Sequence, residues 1–364
     1  MDIKNVKFGD FAIFRYGKMP KKGMVSERGK YPVYSGYRYV GYCNEYNTEA
    51  NQLVIIARGV GGTGDVKITQ EQCYLTNLSI SVSLDETIAI PQYLYYFFSM
   101  RNLRYLDSGS AQSQITISDL ERVELMLPNV EIQKKIVSYL GILDKKISNN
   151  NQINNNLQQQ AQVIYQQMFV ENASSDWKEG YLSDVADITM GQSPSGTSYN
   201  EDGIGTIFFQ GRAEFGFRFP SVRLFTTEPK RMACANDTLM SVRAPVGDLN
   251  VAHTNCCIGR GLAAIHSKTN HQSFVHYTMF SLKKQLDVFN GEGTVFGSIN
   301  RNSLNEMPII IPSNEALDEF ESLVSPMDKT IRNNYDEICR LEAIRDSLLP
   351  KLMSGELDVS SINI

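Results

Sequence analysis

Two long stretches of the chain place apolar residues at alternating steps of four and three. The first series runs from Ile136 to Met168, and a second series runs, 184 positions later, from Phe320 to Leu352. Both stretches, 130 to 170 and 314 to 353, are poor in glycine. Because this spacing is typical of helices that pair in a coiled coil, the pattern predicts two long helices. Pro326 and Pro350 should start, kink or end the second helix locally.

The middle of the first predicted helix is unusually polar. Residues 149 to 162 read NNNQINNNLQQQAQ, a composition that also occurs in disordered segments. Its apolar residues keep the register of the flanking turns, which favours a helix. A buried asparagine in a helical seam costs stability but fixes register, so we expect Asn150, Asn154 and Asn334 to face the partner helix. The predicted helix-pairing positions are Leu143, Ile147, Asn150, Asn154, Leu157, Met327, Ile331, Asn334, Ile338 and Leu341.

The remaining sequence consists of short β-branched and aromatic runs separated by Gly, Pro and Asn. Examples are QLVIIARG at 52 to 59 and TLMSVRAP at 238 to 245. Runs of this kind predict strands joined by turns. Each β-rich region precedes one of the predicted helices.

The two halves of the chain are copies of one unit. The segment GSAQSQITISDLERVELMLP at 109 to 128 aligns with GTVFGSINRNSLNEMPIIIP at 293 to 312. Upstream, QLVIIARGVGGTGDV (52 to 66) resembles DTLMSVRAPVGDLNV (237 to 251), and GDFAIFRYGK (9 to 18) resembles SDVADITMGQ (183 to 192). We therefore expect an α+β fold with two tandem β-rich domains, each followed by a long helix.

Charge changes the picture only through its distribution. The net charge of −5 argues against a nucleic-acid binder, but residues 313 to 364 alone hold 11 acidic and 5 basic side chains. In contrast, residues 1 to 70 hold 11 Lys and Arg against 6 Asp and Glu. Residues 205 to 231 hold 5 against 2. Each half thus contains a locally basic stretch, as a nucleic-acid binder requires.

The composition is that of a globular protein, with 42% apolar residues. No apolar run is long enough for a membrane span, and the first residues lack the apolar core of a signal peptide, so we expect a cytoplasmic protein. The cysteines do not show the regular spacing of a disulfide framework. A zinc site at Cys234, His253, Cys256 and Cys257 is the alternative, but these residues lack paired C-x2-4-C knuckles.

Four segments carry a resemblance to a known family. They are YPVYSGYRYVGYCNEY at 31 to 46, ARGVGGTGDV at 57 to 66, MGQSPSG at 190 to 196 and LLPKLMSGEL at 348 to 357. In this order, and with the duplication, the chain resembles the specificity subunit of type I restriction-modification enzymes along essentially its full length.

The resemblance implies a subunit without catalytic activity and without a cofactor, which reads a split site on double-stranded DNA. Two similar domains on a split site are most simply related by a twofold axis, so the two helices should pair as an antiparallel coiled coil with pseudo-twofold symmetry. It implies target-recognition domains at 1–128 and 171–312, coiled-coil helices at 129–170 and 313–354, and a tail at 355–364. It also implies two DNA adenine methyltransferase subunits and restriction translocase-nuclease subunits as partners, and no membrane. The alternatives are a stand-alone DNA-binding or adaptor protein and a repeat protein that binds other proteins.

Sequence reading on DNA needs side chains that reach base edges and others that hold phosphates. The candidates in the first copy are Arg15, Lys18, Lys21, Lys22, Tyr34, Ser35, Arg38, Tyr39, Arg58, Ser110, Gln112, Ser113 and Gln114. Those in the second copy are Gln192, Ser193, Gln210, Arg212, Arg243, Ser298, Asn300 and Arg301. Structural roles are the alternative: the tyrosines as core of a strand pair, the lysines as a solvated loop, and Arg58 and Arg243 as partners of carboxylates.

Two enzyme motifs find little support. Gly59, Gly61 and Gly64 match the G-x-G-x-x-G of dinucleotide-binding folds, but the following residues are typical of strands, whereas that motif opens a helix. Asp65-Val66-Lys67 resembles the end of a metal-dependent nuclease motif, yet the preceding LVIIAR supplies no further acidic ligand.

Overall fold

The computed structural model describes residues 3–59, 62–107, 114–290 and 297–359 of the 364-residue chain. The chain forms two compact units. The first unit comprises Met1–Asn149 together with Glu337–Ile364, and the second comprises Asn150–Asp336. Each unit therefore contains one β-rich domain and a part of each long helix.

The β-rich domain of the first unit contains three sheets, with strand orders β2-β8-β5-β6, β4-β3-β7 and β1-β9 in its described residues. The elements are β1 (Ile3–Lys7), α1 (Phe8–Phe11), β2 (Ala12–Tyr16), β3 (Tyr31–Ser35), β4 (Arg38–Cys43), β5 (Leu53–Ile56), β6 (Val66–Ile68), β7 (Tyr74–Leu75), β8 (Ser79–Leu84), α2 (Pro91–Met100), α3 (Ile117–Glu121) and β9 (Glu124–Pro128). The long helix α4 (Val130–Gln166) follows, and a π-helical turn, Gln167–Glu171, ends it.

Local sequence explains the main features of this domain. Every residue of β5 is buried, as expected for an apolar strand in the middle of a sheet that is covered on both faces. The hairpin between β3 and β4 turns at Gly36 and Tyr37, whose φ angles are +54° and +60°. Two consecutive residues of positive φ match the twist of a two-residue hairpin, and glycine adopts this conformation readily.

The second unit repeats this arrangement. Its sheets have the orders β11-β19-β16-β17, β12-β14-β13-β18-β15 and β10-β20 in the described residues. The elements are β10 (Lys178–Tyr181), α5 (Leu182–Val185), β11 (Ala186–Met190), β12 (Tyr199–Asn200), β13 (Thr206–Phe209), β14 (Leu224–Thr226), β15 (Met232–Ala233), β16 (Thr238–Ser241), β17 (Leu249–Val251), β18 (Cys256–Ile258), β19 (Leu262–Ser267), α6 (Gln272–Ser281), α7 (Lys283–Asp287), α8 (Arg301–Asn305) and β20 (Pro308–Ile311). The long helix α9 (Asn314–Ser354) follows.

The helices α4 and α9 run antiparallel in each unit. In the first unit, Asp144 contacts Arg345 at 3.1 Å and Lys146 contacts Glu337 at 3.3 Å, so the position on α9 falls as the position on α4 rises. In the second unit, the Asn154 Oδ1 accepts a hydrogen bond of 2.8 Å from Asn334 Nδ2. Further along α4, the Tyr165 ring lies 5.9 Å from the Phe320 ring. The α+β class and the antiparallel helices are confirmed.

The predicted seam is buried to different depths along these helices. Ile147, Asn150, Asn154, Ile331 and Ile338 are buried, whereas Leu143, Leu157, Met327, Asn334 and Leu341 are half-buried. The polar interruption is helical throughout, so the register of its few apolar residues was the correct signal. Asn154 is only 2% exposed, and its bond to Asn334 satisfies a group that would otherwise be costly to bury.

The expectation that Pro326 or Pro350 starts or ends the second helix was wrong, and the alternative, a local kink, stays a prediction. The helix runs without a break from Asn314 to Ser354 and includes Pro326 and Pro350. Both proline side chains are exposed, while Val324 and Ile331 are buried near Pro326 and Leu352 is buried near Pro350. Packing of these apolar neighbours holds the helix together where each proline removes one main-chain hydrogen bond.

Candidate nucleic-acid interface

A short segment at the centre of each domain holds the surrounding loops together through main-chain hydrogen bonds. In the first unit this central segment is residues 75–79. The bonds of the first unit are Gly17 N to Ser79 O (3.0 Å), Lys18 N to Leu75 O (3.0 Å), Thr76 N to Tyr34 O (3.0 Å), Ala57 N to Leu78 O (2.9 Å) and Ile115 N to Ala57 O (3.0 Å). Three segments far apart in sequence therefore bond to the central segment, and a fourth joins them through Ala57.

The second unit has the same bonds around its own central segment, residues 258–262. They are Gly191 N to Leu262 O (2.9 Å), Gln192 N to Ile258 O (2.9 Å), Gly259 N to Phe209 O (2.8 Å), Val242 N to Gly261 O (2.9 Å) and Ile299 N to Val242 O (3.1 Å). We call this common set of bonds the shared frame. It matches the two domains residue by residue, and it confirms the internal repeat where the sequence alignment was weakest.

One glycine of each domain fits the shared frame for the same steric reason. A Cβ atom on Gly17 would lie 2.2 Å from the Thr76 oxygen, and a Cβ on Gly191 would lie 2.1 Å from the Gly259 oxygen. Real Cβ atoms do not approach oxygen so closely. Only glycine allows the backbone to pass the central segment at this distance.

The shared frame brings many of the candidate side chains together. The equivalent positions are Lys18 and Gln192, Ser35 and Gln210, Arg58 and Arg243, Asn77 and Arg260, and Gln114 and Ser298. The backbone of Arg58 pairs with that of Gln114, and the backbone of Arg243 pairs with that of Ser298, in isolated β-bridges. The predicted equivalence of Arg58 and Arg243 is therefore also a structural equivalence.

In the second unit, several of these candidates line an open concave surface that encloses a volume of about 400 Å³. Its lining includes the candidates Ser193, Gln210, Arg212 and Arg243, together with Arg223 and Arg260. Among these arginines, Arg212 forms an ion pair with Asp248, and Arg223 lies 3.3 Å from Glu214 Oε1. Within the described ranges of the chain, no carboxylate pairs with Arg243 or Arg260. The surface thus presents positive charge that the domain itself does not neutralise.

The first unit has a smaller polar group at the same place. Ser35 Oγ accepts a hydrogen bond of 3.3 Å from Thr76 Oγ1, and Lys18 is exposed beside it. Arg58 is half-buried, and its Nε atom is buried without a hydrogen-bond partner among the residues that the structure describes. In that part of the chain Arg58 also has no carboxylate partner. The alternative in which Arg58 and Arg243 serve structural ion pairs thus has no support in the described residues.

The tyrosines of the β3–β4 hairpin pack mainly on one another. The Tyr34 ring stacks on Tyr37 at 5.1 Å, and the Tyr39 ring lies 5.3 Å from Tyr42. Burial raises the pKa of Tyr37 to about 12, so its hydroxyl stays protonated and donates to the Ile68 oxygen at 2.6 Å. Tyr34 and Tyr37 thus have a packing role, but Tyr39 keeps 54% of its surface exposed.

The other candidates are scattered or differently engaged. Arg15, Lys21, Lys22, Arg38 and Arg301 are exposed. Asn300 caps α8, because its side-chain oxygen accepts from the Ser303 N–H at 2.9 Å. Ser110, Gln112 and Ser113 lie outside the described residues.

Sequence reasoning missed Asn77, Arg223 and Arg260. Asn77 stands in CYLTNLSISVSL, a run with the composition of one strand, but residues 76–78 separate β7 from β8. Aligning this run with CCIGRGLAAIHS at 256 to 267 places Asn77 opposite Arg260. This alignment could have identified Asn77 and Arg260 as equivalent candidates from the sequence.

The enzyme and metal alternatives do not gain support. The strand β5 leads through a turn into β6 rather than into a helix, and Gly61 lies outside the described residues. Asp65 Oδ1 accepts a hydrogen bond of 2.7 Å from Asn102. Within the described residues no group of three or more potential ligands could hold a metal ion. Of the proposed zinc ligands, Cys256 is buried, and this burial raises its pKa to about 12, which disfavours the thiolate that zinc binds.

A search for membrane spans among the described residues finds no helix that is both long and apolar enough to cross a bilayer.

Comparisons with known proteins agree with this geometry. The family model for the type I restriction modification DNA specificity domain matches residues 1–159 and 174–343. The chain is 30% identical over 294 residues to a protein of Methanocaldococcus jannaschii that is named as the MjaX specificity subunit of a type I restriction enzyme. This alignment covers 74% of this chain and 69% of that protein. It is 25% identical to the type I restriction enzyme MjaIX specificity subunit of the same organism, over 75% and 70% of the two chains.

A solved structure shows the same fold. The crystal structure of the S subunit of a type I restriction-modification system from M. genitalium superposes with a TM-score of 0.70, covering 96% of each chain at 18% identity.

Proposed function

Since the chain belongs to the family of type I restriction-modification DNA specificity subunits, we propose that each of its two domains reads one half of a split DNA site. One observation carries this proposal. The two domains have the same frame of main-chain bonds but place different polar side chains on it. A common frame suits the common shape of the duplex backbone, and different side chains suit two different base sequences.

The charges around the frame support contact with DNA. Exposed arginines without carboxylate partners in the described residues, such as Arg243 and Arg260, are available for phosphate oxygens or for guanine. Exposed cations of the first unit, namely Arg15, Lys18, Lys21 and Lys22, would add sequence-independent attraction. We extend the proposal to the candidate side chains of both copies as DNA contacts, except Asn300, whose side-chain oxygen caps α8.

The long helices would set the distance between the half-sites. A helix rises about 1.5 Å per residue, so helices of this length extend beyond one turn of DNA of about 34 Å. In this proposal the reading domains correspond to residues 1–128 and 171–312, the helices to 129–170 and 313–354, and the tail to 355–364. The bond between Asn154 and Asn334 would fix the register of the pair.

The relatives are named as subunits of type I restriction enzymes, which suggests the partners of this chain. We propose that it assembles with two DNA adenine methyltransferase subunits and with restriction translocase-nuclease subunits. Methyl transfer and cleavage would belong to those subunits, and this chain would need no cofactor of its own.

Sequencing of methylated adenines tests the proposal directly. Cells that express this chain with its methyltransferase partner should methylate a split site, and cells without the chain should not. Exchange of residues 1–128 for the same domain of a relative should change one half of the site only. Exchange of residues 171–312 is the matched control and should change the other half.

Two outcomes would contradict the proposal. If either exchange changed both halves, the domains would not read independently. If no methylation depended on the chain, and no methyltransferase co-purified with it, a stand-alone DNA-binding or adaptor role would replace the present one.

A further inference from the structure

The shared frame separates positions that the two domains have in common from positions at which they differ. Arg58 and Arg243 are the same residue at the same place, immediately after the residue that bonds to the central segment. Within the central segments, Asn77 stands opposite Arg260. If both domains bind a duplex, a residue present in both suits a feature common to every sequence, which is the phosphate backbone. A residue that differs suits the bases.

Among the positions that differ, the structure leaves Asn77 and Arg260 available for a ligand. Arg260 is exposed, lines the concave surface beside Gln210 and Arg243, and forms no ion pair within the described residues. Asn77 is half-buried between β7 and β8, and its side chain makes no hydrogen bond in the part of the chain that the structure describes. The neighbouring side chains Arg212 and Arg223 are instead engaged by Asp248 and Glu214.

The two side chains match different base edges. The guanidinium group of arginine presents parallel N–H donors that fit the O6 and N7 acceptors of guanine. The amide of asparagine presents one donor and one acceptor, which fit N7 and the N6 amino group of adenine. Lysine would supply the same charge as arginine at Arg260 but not its planar pair of donors.

We propose that Asn77 and Arg260 are equivalent specificity-determining residues, which read an adenine in one half-site and a guanine in the other. Arg58 and Arg243 hold the phosphate backbone beside them. This inference rests on the proposed function, because it names which residues of the DNA-reading surface select the base.

The test is selection of binding sites from a randomised duplex by the purified full chain in complex with its methyltransferase subunits. The variants are Arg260→Lys and Asn77→Ala, and Arg231→Lys is the matched control, an exposed arginine of the second unit that does not line the concave surface. Arg260→Lys should lower the preference for one guanine by roughly ten- to hundredfold. Its affinity for unrelated duplex should change by less than about threefold, since the charge is retained.

The remaining variants complete the pattern. Asn77→Ala should lower the preference for one adenine in the other half-site and leave the half-site affected by Arg260→Lys unchanged. Arg243→Ala should weaken binding to all sequences alike and lower the slope of log affinity against log salt by about one unit. Arg231→Lys should leave the selected site as it is.

The results separate the inference from the function on which it rests. A wild-type complex that selects no sequence overturns both. A wild-type complex that selects a split site, while Arg260→Lys and Asn77→Ala select that same site with undiminished preference, overturns the inference alone. An Arg260→Lys variant that binds every sequence equally more weakly also overturns the inference, because Arg260 would then contact phosphate. Thermal unfolding of each variant like that of the wild type establishes that the fold is intact.

Discussion

The ion pair between Arg218 and Asp328 should contribute far more to stability than its counterpart in the other unit. Arg218 Nη2 lies 2.5 Å from Asp328 Oδ1, and the two side chains are only 6% and 20% exposed. Asp328 also accepts a hydrogen bond of 2.9 Å from the Tyr277 hydroxyl. This network joins a loop of the second β-rich domain to α9.

The first unit contains a related but more exposed network. Asp144 of α4 accepts from the Tyr96 hydroxyl at 2.5 Å and contacts Arg345 Nη1 at 3.1 Å. The side chains of Arg345 and Asp144 are 28% and 34% exposed. Here the arginine comes from α9 rather than from the domain. The repeat therefore preserves the tyrosine and the carboxylate, while the cation that neutralises the carboxylate has a different origin in each unit.

Because the two ion pairs are buried to different extents, removing their arginines should cost different amounts of folding stability. Removing one partner of a buried ion pair typically costs about 3–5 kcal/mol, because an uncompensated charge stays behind. The hydroxyl of Tyr277 still solvates Asp328, so we expect Arg218→Ala to cost about 3 kcal/mol. The exposed pair falls in the range of about 0.2–1 kcal/mol, which is our expectation for Arg345→Ala.

Hydrogen exchange followed by mass spectrometry measures the two costs separately, since it reports on each unit of the same chain. Arg218→Ala should accelerate exchange in α6 and in residues 314–336 by roughly a hundredfold and leave the first unit unchanged. The double variant Arg218→Met with Asp328→Asn should recover at least half of the loss, because no charge remains buried. Equal acceleration by Arg218→Ala and Arg345→Ala would refute the burial argument.

Three further predictions concern the helices and the buried histidine. Asn334→Leu alone should destabilise the second unit by about 1–3 kcal/mol, measured by thermal unfolding, because it leaves the buried amide of Asn154 without its partner, whereas changing both residues to Leu should cost less than the single change. An insertion of four residues after Asn155 should alter the spacer of the methylated site but neither half-site, as adenine-methylation sequencing would reveal. Burial, followed by the charge of Arg218, lowers the pKa of His276 well below its ordinary value of about 6.5. At low pH the unfolded chain therefore binds a proton that the folded chain excludes. The stability of the second unit should be complete above about pH 6.5 and should decline below it. In unfolding measurements from pH 7 to 5, His276→Gln should make this decline smaller.

The sequence predicted the long helices well because their signal is local and periodic. Each apolar position repeats within one or two turns, so the seam followed from spacing. The antiparallel direction followed instead from the twofold symmetry expected of two similar domains on a split DNA site. The contact between Asn154 and Asn334 confirms that reasoning at 2.8 Å. The helix ends expected at the prolines were wrong, because the effect of a proline on an isolated helix does not include tertiary packing, such as that of Val324 and Ile331 near Pro326.

The candidate site was predicted only in part, for a different physical reason. Residues such as Arg58 and Arg243 were found because the copies align locally around them. Arg260 was missed because its position depends on bonds between residues far apart in the sequence, such as that between Gly259 and Phe209. Asn300 matched the polar composition of an interface, but its side-chain oxygen caps α8. Composition does not distinguish a cap from a DNA contact.

The shared frame also explains how one fold can carry two different sets of polar side chains. Every bond that defines it joins one main-chain atom to another, so its geometry tolerates substitution of most side chains. Glycine is required at Gly17 and Gly191, where the backbone approaches the central segment too closely for any Cβ. Side chains such as Ser35 and Gln210 project from that frame and can differ without disturbing it. A frame fixed by backbone bonds and steric constraint, with variable residues between the fixed points, allows the specificity of one domain to change while its fold is retained.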